Sequence, residues 1–286
     1  MNNKTVVVTG ANSGIGLATS IELARQGATV VMACRSAERG EKALAEARRQ
    51  SQSDKLELMQ CDLGSLDSIR QFAAAFRARH STLDVLINNA GVICLKRETT
   101  RDGFEMQLGV NHLGHFLLTH LLREALERAP QGRIVNLSSG AHKIGSIHWE
   151  DPFLTRSYNV WRSYSQSKLA NILFTKGLAQ RLRGTSVTAN CVHPGAVGTS
   201  LGVDRQTGFG GAIMGFLKLF FLTPAQGAET SVYLATSPEL THVSGEYFYR
   251  KKIASVAKQA SDLALAERLW VWSEEQVGLS GARLSA

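Results

Sequence analysis

Short β-branched apolar runs alternate along the chain with longer stretches whose apolar positions recur every three or four residues. Thr5-Val6-Val7-Val8 predicts a strand, Gly14 to Gln26 a helix, Thr29 to Cys34 a second strand and Ala37 to Gln50 a second helix. The alternation continues with a strand over Leu56 to Gln60, a helix from about Leu66 to Arg79 and a strand over Asp84 to Ile87. A long helix follows, for which Asp102 and Glu105 offer a capping box. Arg133 to Leu137 is a fifth strand, Tyr158 to Leu182 mostly helix, and Ser186 to Cys191 a sixth strand. Leu201 to Leu222 is apolar and glycine-rich without a clear period. Thr223-Pro224-Ala225-Gln226 is a helix start, with Thr as N-cap, Pro at the first helical position and Gln at the third. A short strand over Glu246 to Tyr249 and a helix from about Asp262 to Gln276 complete the pattern. Continuous apolar strands joined by helices predict an α/β fold. The expected form is a doubly wound Rossmann-type parallel sheet of about seven strands with helices on both faces. No linker, repeat or low-complexity segment interrupts it, so one domain is expected over residues 1–286.

Composition narrows the function classes. A chain of 286 residues with 44% hydrophobic and 20% charged positions is ordinary for a soluble globular protein. The net charge of +8 raises the question of a polyanionic partner. The basic residues do not cluster: the longest runs are Arg48-Arg49 and Arg250-Lys251-Lys252. A nucleic-acid binder concentrates such residues on one face, so no nucleic acid is expected and the charge suits solvated surface plus an anionic cofactor. Cys34, Cys61, Cys94 and Cys191 are far apart, which gives neither metal-ligand spacing nor a CxxC pair. No metal is expected, and reduced thiols suit the cytosol. Met1 to Lys4 leads straight into the first strand without a signal peptide. The stretch from Ala212 to Leu222, interrupted by Lys218, is too short to span a bilayer. The expectation is a cytoplasmic protein with no transmembrane anchor.

The first strand ends in Thr9-Gly10-Ala11-Asn12-Ser13-Gly14-Ile15-Gly16. Three glycines at a strand-to-helix turn let the backbone approach a pyrophosphate, and the helix N-terminus offers free N–H groups and partial positive charge. Any tight turn can use glycine; the position between the first strand and first helix of a βαβ unit supplies the context for dinucleotide binding. The second strand ends Ala33-Cys34-Arg35-Ser36, with no carboxylate for a ribose 2′-hydroxyl and with a guanidinium able to pair with a 2′-phosphate. NADP(H) is therefore expected, the alternative for Arg35 being a plain surface charge.

Tyr164-Ser165-Gln166-Ser167-Lys168 places a phenol and an ammonium four residues apart on one face of a predicted helix. Hydride transfer to a carbonyl leaves alkoxide charge that needs a proton and a hydrogen-bond partner. A neighbouring ammonium favours the phenolate, and moving a tyrosine by ~3 pH units takes roughly 4 kcal/mol. Tyr247 and Lys251 have the same spacing but sit at a strand end, where four residues cover about 13 Å.

The TGxxxGxG spacing resembles the short-chain dehydrogenase/reductase family, and further pieces follow in the family's order across nearly the whole chain. Asp62-Leu63 resembles its adenine contact. Asn88-Asn89-Ala90-Gly91 resembles the segment that supports the sheet and lines the cofactor site. Pro194-Gly195, with Val197 and Thr199, resembles the segment that holds the nicotinamide carboxamide. The resemblance implies a cofactor site of Gly10, Asn12, Ser13, Gly14, Ile15, Gly16, Arg35, Asp62, Leu63, Asn89, Ala90, Gly91, Tyr164, Lys168, Pro194, Gly195, Val197 and Thr199. It implies Tyr164 as general acid/base and Lys168 as a ligand of the nicotinamide ribose. Ser139 would hold the substrate oxygen, with Ser138 the competing choice. Asn111 would disturb its helix and hold a water near the lysine.

Within the family, Cys34-Arg35, Asn111-His112-Leu113-Gly114-His115-Phe116, Ser139-Gly140-Ala141-His142, Ser167-Lys168-Leu169-Ala170-Asn171, Ser244-Gly245-Glu246-Tyr247-Phe248 and Ala266-Glu267-Arg268-Leu269-Trp270 resemble the retinol dehydrogenase-like branch. Light-dependent protochlorophyllide reductases share some of these pieces, which alone fix no substrate. Membrane-bound retinol dehydrogenases carry an N-terminal apolar anchor that has no counterpart before Thr5, which counts against a retinoid. Trp149, Phe153, Trp161, Leu201, Phe209, Phe216, Phe220 and Phe221 either wall a hydrophobic pocket, with a substrate loop and lid at about 140–163 and 200–223, or belong to core and oligomer contacts. His142 and His148 either touch substrate or are structural. The expected substrate is a lipophilic ketone, aldehyde or secondary alcohol. The rivals are a specialised reductase of a C=C bond and an NADP-binding regulator without turnover. A homodimer or homotetramer is usual for the family.

Overall fold

The structure is a computed structural model that describes residues 1–195 and 222–279. Val197, Thr199 and nearly all of the expected 200–223 lid lie outside the described residues. The strands are β1 Thr5–Thr9, β2 Thr29–Cys34, β3 Leu56–Gln60, β4 Val85–Asn88, β5 Arg133–Leu137, β6 Thr188–His193, β7 Tyr247–Tyr249 and β8 Lys252–Ile253. They form one sheet in the order β3-β2-β1-β4-β5-β6-β7-β8, parallel except for the β7–β8 pair. The helices are α1 Gly14–Arg25, α2 Ala37–Ser51, α3 Leu66–Arg79, α4 Met106–Leu108, α5 Gly114–Glu127, α6 Val160–Arg181, α7 Pro224–Thr236 and α8 Leu263–Gln276.

Strand alternation divides the core into two faces. Val7, Val31, Leu86 and Ile134 point to one side, where they meet Phe72, Phe116 and Phe174. Val6, Val8, Val30 and Ile87 point to the other, against Leu23, Leu44 and Leu234. Because both sides are covered, the strands read as unbroken apolar runs. The order reverses beside β1, whose neighbours are β2 and β4. The crevice between the carboxyl ends of β1 and β4 is thus the switch point at which ligands bind in such sheets.

Three local expectations are corrected or sharpened. The eighth strand exists because Arg250 and Lys251 take φ of 51° and 61°, closing a two-residue hairpin between Tyr249 and Lys252. No Gly or Asn marks this turn, so the sequence hides it. Lys251 reaches Glu229 at 2.9 Å rather than Tyr247. The expected Asp102–Glu105 box does not form. Gly103, at φ 85°, turns the chain between the two residues. Glu105 caps α4 itself, accepting from the Gln107 and Leu108 amides at 2.9 and 2.8 Å, while Asp102 accepts from the Leu66 amide at the start of α3 at 3.0 Å. The Thr223–Gln226 box is present in full at the start of α7.

The start of β1 is pinned to the start of β4. Buried Asp84 accepts from the Lys4 ammonium at 2.7 Å and from the Thr5 amide at 2.8 Å. Asp84→Ala strips that amide of its partner and is expected to cost roughly 1–3 kcal/mol. The check is a lower urea midpoint with an unchanged m-value.

Candidate active site

Gly10 and Gly14 adopt φ of 64° and 56° in the turn from β1 to α1, a region that L side chains avoid. A Cβ on Gly10 would stand 3.0 Å from Ala90 Cα and Cβ, and one on Gly16 would run into the Gly10 carbonyl and the Asn89 side-chain amide. The turn after β1 therefore presses against the turn after β4. Ser13, the N-cap of α1, makes no side-chain capping bond, and no acidic residue sits in the first turn. The first amides of α1 are left to face the crevice, a cradle suited to a diphosphate. Asn89 ties the turns together, its side chain donating to Thr9 O at 2.7 Å.

Arg35 is exposed just past β2, and Ser36 caps α2 by accepting from the Arg39 amide at 3.3 Å. Burial pushes the Cys34 thiol up to about 12, opposed by the Ala11 backbone and by the Arg39 guanidinium. Arg39 therefore joins Arg35 at this corner. Asp62 Oδ1 accepts from Gly64 N at 3.0 Å, with Leu63 buried beneath. Pro194 and Gly195 follow β6, Gly195 with φ 90°.

Asn159 starts α6 by accepting from the Trp161 and Arg162 amides, both at 3.0 Å. One turn further, Tyr164 and Lys168 share a face, with Nζ 5.5 Å from the ring centroid. Ser139 Oγ accepts from Ala141 N at 3.2 Å, and its side chain is near enough to Tyr164 to oppose the upward pull of burial on the phenol. Ser138 instead donates to the Lys168 carbonyl at 2.7 Å. Strand alternation thus sends Ser138 into the core and Ser139 to the crevice. Buried Lys168 has one partner among the described residues, Leu137 O at 3.4 Å. Its other ammonium hydrogens remain for a ligand hydroxyl.

Asn111 lies in a π-helical turn, Gly109–Leu113, that interrupts the passage from α4 to α5. Its side-chain amide donates to Val92 O at 3.1 Å and Ser167 at 3.0 Å, while Oδ1 accepts from Val92 N at 2.8 Å. Both amide hydrogens are committed, which leaves only an Oδ1 lone pair. A Cβ on Gly91 would stand 3.5 Å from that oxygen and 3.6 Å from Lys168 Nζ. The glycine lets the two approach one edge of the crevice.

The expected lowering of the phenol is not what the protein's own field produces. Burial raises Tyr164, and the Ser139 side chain opposes it. Burial also lowers Lys168 to about 8, opposed by Cys191. Desolvation is the leading cause for both groups.

The crevice does not collect every expected residue. His142 is buried, with Nδ1 2.7 Å from Ser139 O and Nε2 accepting from Ala257 N at 3.3 Å. His148 stacks its nitrogens against Arg162 at 2.9 and 3.2 Å. Trp149 and Phe153 pack on Trp272 of α8, with centroids 6.4 and 5.8 Å away, while Trp161 is exposed. Sequence reading missed Thr9, which adjoins Gly10, and Arg39, which lies one helical turn beyond Arg35. It also gave His115 no role.

A doubly wound sheet whose switch-point crevice holds a glycine cradle, a serine hydroxyl, a phenol and an ammonium defines an α/β oxidoreductase. Residues 4–208 match the short chain dehydrogenase family. Human retinol dehydrogenase 13 is 47% identical over 283 residues, covering 96% of this chain and 85% of that protein. Human retinol dehydrogenase 14 is 46% identical over 296 residues, covering 98% and 88%. A solved structure of an uncharacterized Mycobacterium paratuberculosis protein superposes with a TM-score of 0.78 at 36% identity, over 97% of this chain and 94% of that one. A short chain dehydrogenase from Escherichia coli CFT073, complexed with NADPH, shares the fold with a TM-score of 0.68 at 22% identity, over 87% and 96%. The chain belongs to the short chain dehydrogenase family, in its retinol dehydrogenase-like branch, and is an oxidoreductase acting on CH-OH or C=O groups. Among the described residues, no helix is long and apolar enough to cross a membrane.

The depressed Lys168 carries a stability signature. Its folded value of about 8 lies below the ~10.4 of an unfolded lysine. Between these values the unfolded chain binds the extra proton, so stability rises with pH in that window. Denaturation curves at pH 8 and 10 should show wild type gaining on the order of 2 kcal/mol relative to Lys168→Met. A flat difference would mean an ordinary, hydrated lysine.

Proposed function

We propose that this protein transfers a hydride between NADP(H) and a lipophilic ketone, aldehyde or secondary alcohol, with Tyr164 as general acid/base. The observation that carries the reading is the helical Tyr164–Lys168 pair, with Ser139 acting on the phenol and Lys168 Nζ facing Gly91, in the turn that presses against the glycine cradle. When bound, the cofactor supplies the hydride and, once oxidised, a positive ring.

The chain's own residues divide the remaining work. The first amides of α1, from Gly14 to Gly16, face the diphosphate, with Asn12 and Ser13 lining the same turn. Arg35 pairs with the 2′-phosphate, and Arg39 stands beside it. Asp62 and Leu63 border the adenine, Asn89, Ala90 and Gly91 the ribose side, and Pro194 and Gly195 the carboxamide. Lys168 donates its free hydrogens to the ribose. Ser139 donates to the substrate oxygen while Tyr164 delivers or removes the proton at that atom. A phenol kept protonated by burial suits delivery. Asn111 keeps an oxygen lone pair toward Lys168, where it can hold a water for proton resupply.

The relatives support the substrate class, since two of them carry retinol dehydrogenase in their names and retinoids are themselves lipophilic alcohols and aldehydes. We read the chain as one cytoplasmic domain. A reductase of a C=C bond would need the same Tyr164 and Lys168. Turnover of ketones or aldehydes in darkness favours the carbonyl reading; activity confined to an illuminated C=C substrate overturns it.

Tyr164→Phe should lower kcat by about 10²–10⁴-fold and leave the NADPH dissociation constant within about twofold. Undiminished turnover would remove Tyr164 from its role. Arg35→Asp puts a carboxylate against the 2′-phosphate. It should reduce kcat/KM for NADPH by at least about tenfold, near 1.4 kcal/mol, with little change for NADH. Equal losses with both cofactors would show that Arg35 does not read the phosphate.

A further inference from the structure

We infer that His115 is a positioning residue whose imidazole locks the glycine turn of β1 to the distorted helix around Asn111, setting the cofactor cradle and the proton-delivery side together. The inference rests on reading the Gly10–Gly16 turn as the dinucleotide cradle. His115 begins the first turn of α5 and is buried, as are Thr9 and Asn111. Its Nδ1 lies 3.1 Å from the backbone oxygen of Asn111, and its Nε2 lies 2.9 Å from Thr9 Oγ1.

These contacts leave one arrangement of hydrogens. A carbonyl only accepts, so Nδ1 carries the hydrogen and Nε2 a lone pair. The Thr9 hydroxyl then donates to Nε2 at 2.9 Å, the 3.4 Å approach to Ile87 O being the longer and weaker competitor for its one hydrogen. On its other side, Thr9 Oγ1 receives the amide hydrogens of Asn89 at 2.9 Å and Ala90 at 3.0 Å. Both hydroxyl lone pairs are thereby used, and only its own hydrogen remains to give. Contacts on opposite sides of the ring thus demand the same neutral tautomer. Burial supports it by drawing the imidazole down to about 4; the Asn111 bond opposes this and the Lys168 charge adds to it.

The consequence reaches both halves of the site. With its hydrogen held by His115, Thr9 turns both lone pairs toward the β4 turn and fixes the Asn89 and Ala90 amides. The next residue is Gly91, whose missing side chain faces Asn111 Oδ1 and Lys168 Nζ. One ring therefore fixes the spacing of three segments that are far apart in sequence.

The test combines NADPH titration by fluorescence with melting curves on the full chain. The variants are Thr9→Val, His115→Phe, His115→Gln and the Thr9→Val/His115→Phe double. Wild type should bind NADPH. His115→Phe, which keeps the ring volume without the nitrogens, should weaken binding about tenfold, and Thr9→Val at least as much. The double variant should bind no worse than Thr9→Val alone, because both changes break one link. His115→Gln can donate to Asn111 and accept from Thr9, and should recover affinity to within about threefold of wild type. A merely structural histidine would lower the melting temperature of His115→Phe and leave its NADPH affinity intact. That outcome, or losses that multiply in the double variant, overturns the inference. If His115→Phe does not fold, His115→Leu, which also lacks both nitrogens, replaces it in the same cycle with Thr9→Val and is read by the same criterion. A wild-type chain that binds no NADPH would instead remove the cradle reading itself.

Discussion

The contact between two backbone turns, one after β1 and one after β4, governs the rest of this molecule. They meet so closely that glycine is required at Gly10 and at Gly16. Neighbouring parallel strands already run side by side, but their exits need not touch. Here they touch because the Thr9 hydroxyl and the Asn89 side chain supply hydrogen bonds across the gap. Each amide so held is one that water would otherwise claim, and satisfying it inside the protein makes the close approach stable. The crevice above these turns inherits their rigidity. A cradle built on such a base can present the first amides of α1 without reorganisation when an anion arrives.

Burial does opposite things to the two titratable groups of the crevice, and that opposition is informative. It raises the phenol of Tyr164 and lowers the ammonium of Lys168. In each case burial favours the uncharged form. Such a pair is poised rather than fixed. A positive charge brought near the phenol favours its anion, and hydroxyl partners brought to the ammonium favour its cation. On the proposed mechanism, the local charge in the crevice sets whether Tyr164 gives a proton or takes one.

How much of this was legible depended on whether the controlling contact is local. Strands such as Val6–Val8 and Val30–Cys34 declare themselves because both sheet faces are buried and every position is apolar. The Thr223–Gln226 cap is equally plain, since all its partners lie within four residues. The β7–β8 hairpin was hidden because Arg250 and Lys251 adopt positive φ without a residue type that advertises it. Asp102 was misassigned because Gly103 redirects it to the start of α3, a partner 36 positions away. Ser138 and Ser139 could not be separated from sequence, because which of two adjacent residues faces a crevice depends on register across the sheet. The family pattern supplied the choice, and the Ser138 bond to the Lys168 carbonyl gives it a physical reason. Thr9 and His115 lie 106 residues apart, and neither residue type implies the other.

The stretch from Asn111 to His115 shows how a costly backbone departure is held in place. A π-turn loosens the helix between α4 and α5 at the point where the crevice needs a polar edge. Side chains on the loosened stretch take partners in three directions. Asn111 reaches Val92 and Ser167, His115 reaches Thr9, and His112 reaches Ser273 of α8 at 2.9 Å. A bond to α8 ties the C-terminal helix to a site whose other parts come from the sheet. Hence the helix that lies farthest along the described chain still bears on the geometry beside Lys168. Phe116, Phe174 and Trp270 pack against one another beside this seam. His112 and Ser273 are buried there, and a polar bond left unmade at a buried site costs more than it would at the surface. Four partners, Val92, Ser167, Thr9 and Ser273, therefore brace the distortion and couple the edge of the crevice to the packing on that face of the sheet.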